Sequence, residues 1–177
     1  MIAIRHMSAR ELDRIGEIDR SEHVTREYAY RRGALERRSV DLRVPPWSRS
    51  GDHEHSVRGR VHAWKPILDR GGTLVGAFEG DTLVGFAIYQ PDLAESMANL
   101  AALYVSRSHR RRGVASRLAQ EVRRLARGDG SRRLYVSATP SGPTVEFYRS
   151  RGFAPTDEPN ERLLALEPLD IHMILEL

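Results

Sequence analysis

The distribution of apolar and polar positions along the chain predicts a mixed set of strands and helices, organised around residues 100–127. Residues 100–105, Leu-Ala-Ala-Leu-Tyr-Val, are apolar on both alternating faces. That pattern predicts a strand buried on both sides near the middle of a sheet. A polar turn, residues 106–113, follows it. Then Val114, Ala115, Leu118, Ala119, Val122, Leu125 and Ala126 recur at helical spacing, separated by arginines, Gln120 and Glu121. The order is strand, basic glycine-containing turn, helix.

The flanking segments read in the same way. Residues 2–5 predict a short first strand. Ser8-x-x-Glu11 has the form of a capping box, with a helix to about Asp19 whose inner face is Leu12, Ile15 and Ile18. Tyr28 and Tyr30 alternate, as do Val40, Leu42 and Val44, which predicts a hairpin turning at residues 32–34 and ending at Pro45-Pro46. Residues 48–56 predict a mobile polar loop. Residues 57–69 predict a helix with Val61, Trp64, Ile67 and Leu68 inward and a weak point at Pro66. Strands at 73–78 and 83–89 turn through Glu79-Gly80-Asp81, and residues 92–99 read as a loop. A strand at 133–138 precedes a short helix closed by Gly152. An acidic loop spans residues 157–161, and the alternation of Ile171, Met173, Leu175 and Leu177 predicts a final strand. No repeat or second domain interrupts this. Too few helices separate the strands for a doubly wound parallel fold. The fold class is therefore α/β of the α+β type: one domain over residues 1–177, with a mixed, mostly antiparallel sheet flanked by helices.

Composition changes this picture little. With 177 residues the chain can bury a core as one domain. The net charge of +4 invites a nucleic-acid reading. But Lys65 is the only lysine, and the arginines are interspersed with carboxylates rather than gathered in one tail, so no nucleic-acid partner is expected. There is no cysteine, hence no disulfide framework and no thiol nucleophile. No apolar run is long enough for a membrane span, and Arg5, His6 and Arg10 interrupt any signal-peptide core. A cytoplasmic protein is the expectation. Asp52-His53-Glu54-His55 lacks helical His-Glu-x-x-His spacing, so no metal site is expected.

The candidate chemistry lies in the basic turn. The first amides of a helix have no partners within it, and here they stand beside guanidinium groups. Gly113 has no side chain to obstruct a ligand and Ala115 is small, which is how a chain builds a cradle for an anion, most often phosphate. The Walker lysine and the triple-glycine dinucleotide fingerprint are both missing. What stands here, Arg110-x-x-Gly113-x-Ala115, resembles the Gln/Arg-x-x-Gly-x-Gly/Ala motif of the GNAT superfamily of N-acetyltransferases. Downstream, Phe147-Tyr148-x-x-x-Gly152-Phe153 resembles that family's second hallmark, in the right order and separated by a helix and a strand. Together the two motifs are far more specific than either alone.

The resemblance implies a sheet that splays beside its central strand and an acetyl-coenzyme A co-substrate. The pantetheine arm and the oxyanion are then expected at Leu103, Tyr104 and Val105. The pyrophosphate is expected over the backbone amides of Arg111, Arg112, Gly113, Val114 and Ala115, helped by the Ser116 hydroxyl, with Arg110, the first residue of the motif, also on the cofactor. Tyr148 matches the family tyrosine that protonates the leaving thiolate, and a phenol of pKa about 10 suits that role. The family often has an asparagine a few residues before the aromatic pair; here Ser141 stands in that neighbourhood, with Thr139 close by. The general base is left open among Glu22, Glu27 and Glu95. Two acidic groups, Asp19, Glu22 and Glu27 on one side and Asp157, Glu158 and Glu161 on the other, point to a cationic amine on a small polar molecule. Protein amino groups and a catalytically silent, cofactor-binding module are the alternatives, and a homodimer is compatible with the sequence.

Overall fold

The computed structural model describes residues 1–177. Strands β1 (Ile2–Met7), β4 (Thr73–Glu79), β5 (Thr82–Ala94), β6 (Met97–Val105), β7 (Arg133–Ala138), β8 (Ala154–Pro155) and β9 (Ile171–Glu176) form one sheet in the order β1-β4-β5-β6-β7-β9-β8. Every neighbouring pair is antiparallel except β6 with β7. Strands β2 (Glu22–Arg31) and β3 (Ala34–Val44) make a separate hairpin.

Helices cover both faces of the sheet. One face packs against α2 (Val114–Gly128) and α3 (Gly142–Ser150), with Val114, Leu118, Val122, Ala126 and Val145 at most 1 % exposed. The four from α2 are among the residues that the helical period placed inward. The other face packs against α1 (Val57–Asp69) and the segment Ala9–Glu17, through Trp64, Leu12, Ile15 and Ile18. The Ser56 hydroxyl caps α1 by accepting from the Gly59 amide at 3.0 Å. Pro66 sits within α1 and does not end it.

Four sequence expectations need correction. Residues Ala9–Glu17 form a 3-10 helix rather than an α-helix. The inward residues Leu12, Ile15 and Ile18 are spaced by three, the period at which 3-10 side chains eclipse. The expected loop at residues 92–99 is instead the end of β5, a two-residue turn and the start of β6. Pro91 and Asp92 read as breakers, yet they sit where the ladder slips between Gln90 and Ala94, and a bulge tolerates both. Strand β3 begins at Ala34, six residues before the alternation that starts at Val40. Its middle faces solvent and has no apolar period to read. A fourth helix, α4 (Glu161–Leu166), was not anticipated; the Asn160 side chain caps it by accepting from the Leu163 amide at 3.2 Å. The expected β2–β3 hairpin itself forms, turning through Arg32 and Gly33, both with positive φ (50° and 77°) as a two-residue hairpin turn requires.

The feature that positions the site is a split in the sheet. Strand β6 pairs with β7 only through Met97, Ala98 and Asn99, whereas it continues along β5 as far as Val105 opposite Gly85. Strand β7 turns away toward β9, pairing up to Ala138 opposite Ile171. Ala101 is the extra residue of a bulge between the Tyr89–Leu100 and Ile88–Ala102 pairs, and a bulge bends its strand where the partner is lost. A Cβ on Gly85 would lie 3.0 Å from Val114 and 3.2 Å from Leu118. Glycine there lets α2 settle onto the sheet directly behind the split.

Candidate active site

The split opens into a cleft of about 770 Å³. One wall is the unpaired edge of β6 from Leu100 to Val105, whose alternate backbone N–H and C=O groups have no strand on that side. Arg110, Arg111, Gly113, Val114, Ala115 and Ser116 close one end. Ser137, Thr139, Ser141, Phe147 and Arg151 stand opposite, and Val24, Leu42 and Val44 of the hairpin lie across it.

At the turn, no backbone carbonyl accepts from the consecutive amides of residues 111–116; the first bond of α2 runs from Arg117 to the Gly113 carbonyl at 3.1 Å. Gly113 is the N-cap residue, with φ 78° and no capping side chain. A Cβ built on it would meet no atom within 4 Å. This is an unobstructed row of donors at the positive end of a helix, and it suits a pyrophosphate.

The arginines of the turn do different work. Arg110 donates to the carbonyls of Val105 (3.3 Å) and Arg20 (3.1 Å) and lies 3.8 Å from Glu22, so its guanidinium braces the turn against the segment before the hairpin. Arg112 points away from the cleft and donates to Glu79 at 3.1 Å, which leaves only its amide on the ligand side. Arg111 faces the cleft. Arg151, which the sequence reading did not single out, also lines it and donates to the Ser116 hydroxyl. Ser141 is 5 % exposed and its hydroxyl donates to Thr144 at 2.8 Å.

Tyr148 is 5 % exposed and is not among the residues that line the cleft, whereas Phe147 is. Its ring packs edge-on against Phe147 and Phe153, each 5.3 Å away. Burial, with Tyr104 and Asp170 nearby, pushes its phenol pKa well above the usual value, so it stays protonated across the neutral range.

A second cavity of about 900 Å³ adjoins the cleft at the split. Arg60, Trp64, Tyr104, Ser137, Thr139, Glu167 and Asp170 line both spaces. The carboxylates facing the second cavity are Glu54, Asp92, Glu167 and Asp170, set against Arg60, Arg70 and Arg162. Asp157, Glu158 and Glu161, which the sequence suggested for the acceptor side, line neither space, and nor do Asp19 and Glu95. Asp19 instead accepts from the Ser21 amide at 2.9 Å, and Glu95 sits at the β5–β6 turn. Glu22 and Glu27 line the cleft but not the second cavity.

The Glu167–Asp170 turn is held from below by a chain of hydrogen bonds. The Asn160 amide donates to the Tyr135 hydroxyl (3.1 Å), and that hydroxyl lies 2.7 Å from His172 Nδ1. His172 Nε2 lies 3.1 Å from the Glu167 carbonyl, which can only accept. The proton is therefore on Nε2, and Nδ1 accepts from the phenol. Burial lowers the His172 pKa, in keeping with a neutral ring.

Asp170 sits between this chain and the cavity. Burial, reinforced by Glu167 and opposed by Arg60, pushes its pKa up to about 7 from the ordinary 3.8. Through that window the unfolded chain ionises first, so this carboxyl lowers stability progressively from about pH 4 to pH 7 and holds it lower above. Asp170→Asn is expected to melt roughly 5 °C above wild type at pH 8, with the gap closing near pH 4. Melting curves at the two pH values check this; equal temperatures at pH 8 would mean that the carboxyl is well solvated.

The family model for the GNAT acetyltransferases matches residues 35–153, which include the β6 edge, the turn, α2 and α3. The chain belongs to the GNAT acetyltransferase family. It is an acetyl-coenzyme A-dependent N-acetyltransferase, and the open row of amides fits that co-substrate. A search of curated protein sequences finds no match. Solved structures share the fold at low identity. Nourseothricin acetyltransferase superposes with a TM-score of 0.73 at 16 % identity, over 99 % of this chain and 98 % of that one. A PaiA N-acetyltransferase from Thermoplasma acidophilum, in complex with coenzyme A, gives 0.64 at 16 %, over 100 % and 99 %. The ribosomal-protein-S18-alanine N-acetyltransferase from Escherichia coli gives 0.63 at 16 %, over 99 % and 94 %. These acceptors differ widely, so membership of this GNAT family leaves the acceptor class open. No helix is long and apolar enough to cross a membrane.

Proposed function

We propose that this GNAT enzyme transfers acetyl directly to a primary amine of a small, polar, cationic molecule. The observation that carries this reading is the second cavity: about 900 Å³, joined to the cofactor cleft at the open β6 edge. That is the volume of a pocket which encloses a small molecule. Its walls combine the aromatic faces of Trp64 and Tyr104 with the carboxylates of Glu167 and Asp170, a lining suited to an ammonium group.

In this reading the amides of residues 111–116 hold the pyrophosphate, with Arg111 and Arg151 beside it. Residues Leu103, Tyr104 and Val105 offer the strand edge to the pantetheine arm. Acetyl-coenzyme A supplies the acetyl group as a thioester. An N–H of the β6 edge donates to the carbonyl oxygen as negative charge develops on it, and the Tyr148 hydroxyl provides a proton for the departing sulfur.

One observation favours a protein acceptor instead. Leu164, Leu166 and Leu169 are 38, 72 and 82 % exposed, and the last two rim the second cavity. Such an apolar rim suits contact with a larger partner. Thiol release measured over polyamines, amino sugars, amino acids, arylamines and peptides separates the two. A preference for cationic small amines is expected. A clear preference for peptides, neutral arylamines or acidic acceptors would overturn the small-amine reading.

A further inference from the structure

We propose that Asp170 is the proton acceptor of this transfer, taking a proton from a cationic acceptor amine where the two cavities meet. The proposal deepens the small-amine reading and rests on it.

Position singles this residue out. Glu22, Glu27 and Glu146 line only the cofactor cleft, and Glu54 and Asp92 only the second cavity; Glu167 and Asp170 alone among the carboxylates line both. Asp170 immediately precedes Ile171, which pairs with Ala138 at the end of β7. It therefore stands across the split from the open β6 edge, where the acetyl carbonyl is expected. Its backbone is anchored, because His172 two residues on is fixed by Tyr135 and by the Glu167 carbonyl.

Its charge is also uncommitted. Asp170 forms no ion pair within 4.0 Å, although Arg60 of α1 is near enough to be felt. Arg60 is occupied elsewhere: it donates to the Glu54 carbonyl at 2.6 Å and lies 5.4 Å from the Trp64 ring centre. The other groups that face Asp170 are Tyr104 of β6, Tyr148 of α3 and Glu167 of its own turn. None of these supplies a positive charge. A cationic amine does.

The cavity offers Asp170 and Glu167 as acceptors together with the aromatic faces of Trp64 and Tyr104, and an ammonium compound complements both.

The proton accounting closes. One N–H bond of the ammonium breaks and an O–H bond forms on the Asp170 carboxylate, freeing the nitrogen lone pair. That pair forms the C–N bond to the acetyl carbonyl carbon. The C–S bond breaks with its electrons going to sulfur, which takes a proton from Tyr148. The nitrogen then gives up its second proton, which restores Tyr148. Asp170 releases its proton to solvent, so the net products are the amide, the thiol and one proton. Because Asp170 titrates near neutrality, it is able to accept only above that region, and the rate should fall on the acid side.

The test uses the whole chain and the variants Asp170→Asn and Asp170→Glu, with spermidine, glucosamine, lysine and an aminocyclitol as amines. For the amine turned over best, Asp170→Asn is expected to lose roughly 100-fold in kcat/KM and the acid limb of the pH profile. Asp170→Glu, which keeps a carboxylate, should recover at least about a tenth of the wild-type value, and coenzyme A affinity by calorimetry should be unchanged in both. Carboxyl-carbon NMR of the protein without acceptor should show one aspartate titrating near neutrality, missing from Asp170→Asn. A wild-type pH profile in Asp170→Asn would overturn the proposal, as would titration of Asp170 in the ordinary carboxylate range. If wild type acetylates none of these amines, the small-amine reading fails by itself. The pH profile of Asp170→Asn with the peptide or arylamine that is turned over then decides Asp170: loss of the acid limb keeps the assignment and a wild-type profile ends it.

Discussion

Gly113→Val is expected to weaken coenzyme A binding by roughly 100-fold, or about 2.8 kcal/mol, while the protein still folds. Two independent causes converge on this position. The backbone at Gly113 has φ 78°, a left-handed conformation that costs a side chain on the order of 1–2 kcal/mol and is least tolerated by a β-branched one. Relaxing that strain would rotate the amides that follow out of their shared direction. In addition, a Cβ there meets no protein atom within 4 Å and Gly113 lines the cleft, so the added methyls are expected to compete with the cofactor for open space rather than to disturb the core. Gly113→Ala separates the causes, since it carries most of the backbone strain and little of the bulk. It should lose about tenfold. Calorimetry with coenzyme A measures both variants; unchanged affinity in Gly113→Val would remove the turn from the cofactor site. The melting temperature of the unliganded variants is expected to fall by only a few degrees, because α2 keeps its buried face of Val114, Leu118 and Val122.

The part of this site that is legible in the sequence is local, and the rest is not. The cradle is a continuous stretch: a buried strand, a glycine that accepts positive φ and a helix start follow one another in residues 100–116, so composition and period reveal them. Tyr148 stands out only because the aromatic and glycine motif around it resembles that of the family. The second cavity is assembled differently. Trp64 comes from α1, Asn99 and Tyr104 from β6 and Asp170 from the residue before β9. No spacing rule links them. Asp170 reads as one more acidic loop residue, and its neighbours Glu158 and Glu161 look equally plausible until the fold turns them outward. The signal that was present lies in its surroundings: a single carboxylate abutting a run of apolar strand residues. The β2–β3 hairpin illustrates the opposite limit. Its apolar ends alternate and were readable, while its polar middle, Glu36, Arg37 and Arg38, is exposed and carries no period at all. Arg112 shows why a motif match does not fix each side chain, since the ion pair with Glu79 takes its guanidinium away from the ligand.

Tyr148→Phe is expected to lower turnover on the order of 10²-fold at saturating cofactor, about 2.7 kcal/mol of barrier, with folding and coenzyme A affinity retained. The ring supplies the packing, edge-on to Phe147 and Phe153, and phenylalanine preserves it. The end of α3 is also untouched, because the bonds there run to the Tyr148 backbone carbonyl, from Arg151 at 3.0 Å and Phe153 at 3.1 Å. What is lost is one hydroxyl that burial keeps protonated. A donor of that kind should add no limb of its own to the pH–rate profile in the neutral range, unlike Asp170, so the profile of the variant should keep its shape and fall as a whole. Replacing the natural thiol leaving group by a more acidic one provides a second readout. A leaving group that departs without a proton should narrow the gap between variant and wild type, whereas a purely structural effect of the substitution would leave the gap unchanged. Turnover equal to wild type at saturating cofactor would exclude Tyr148 as the acid and shift that role to another donor at the split, with the Tyr104 hydroxyl the next to test.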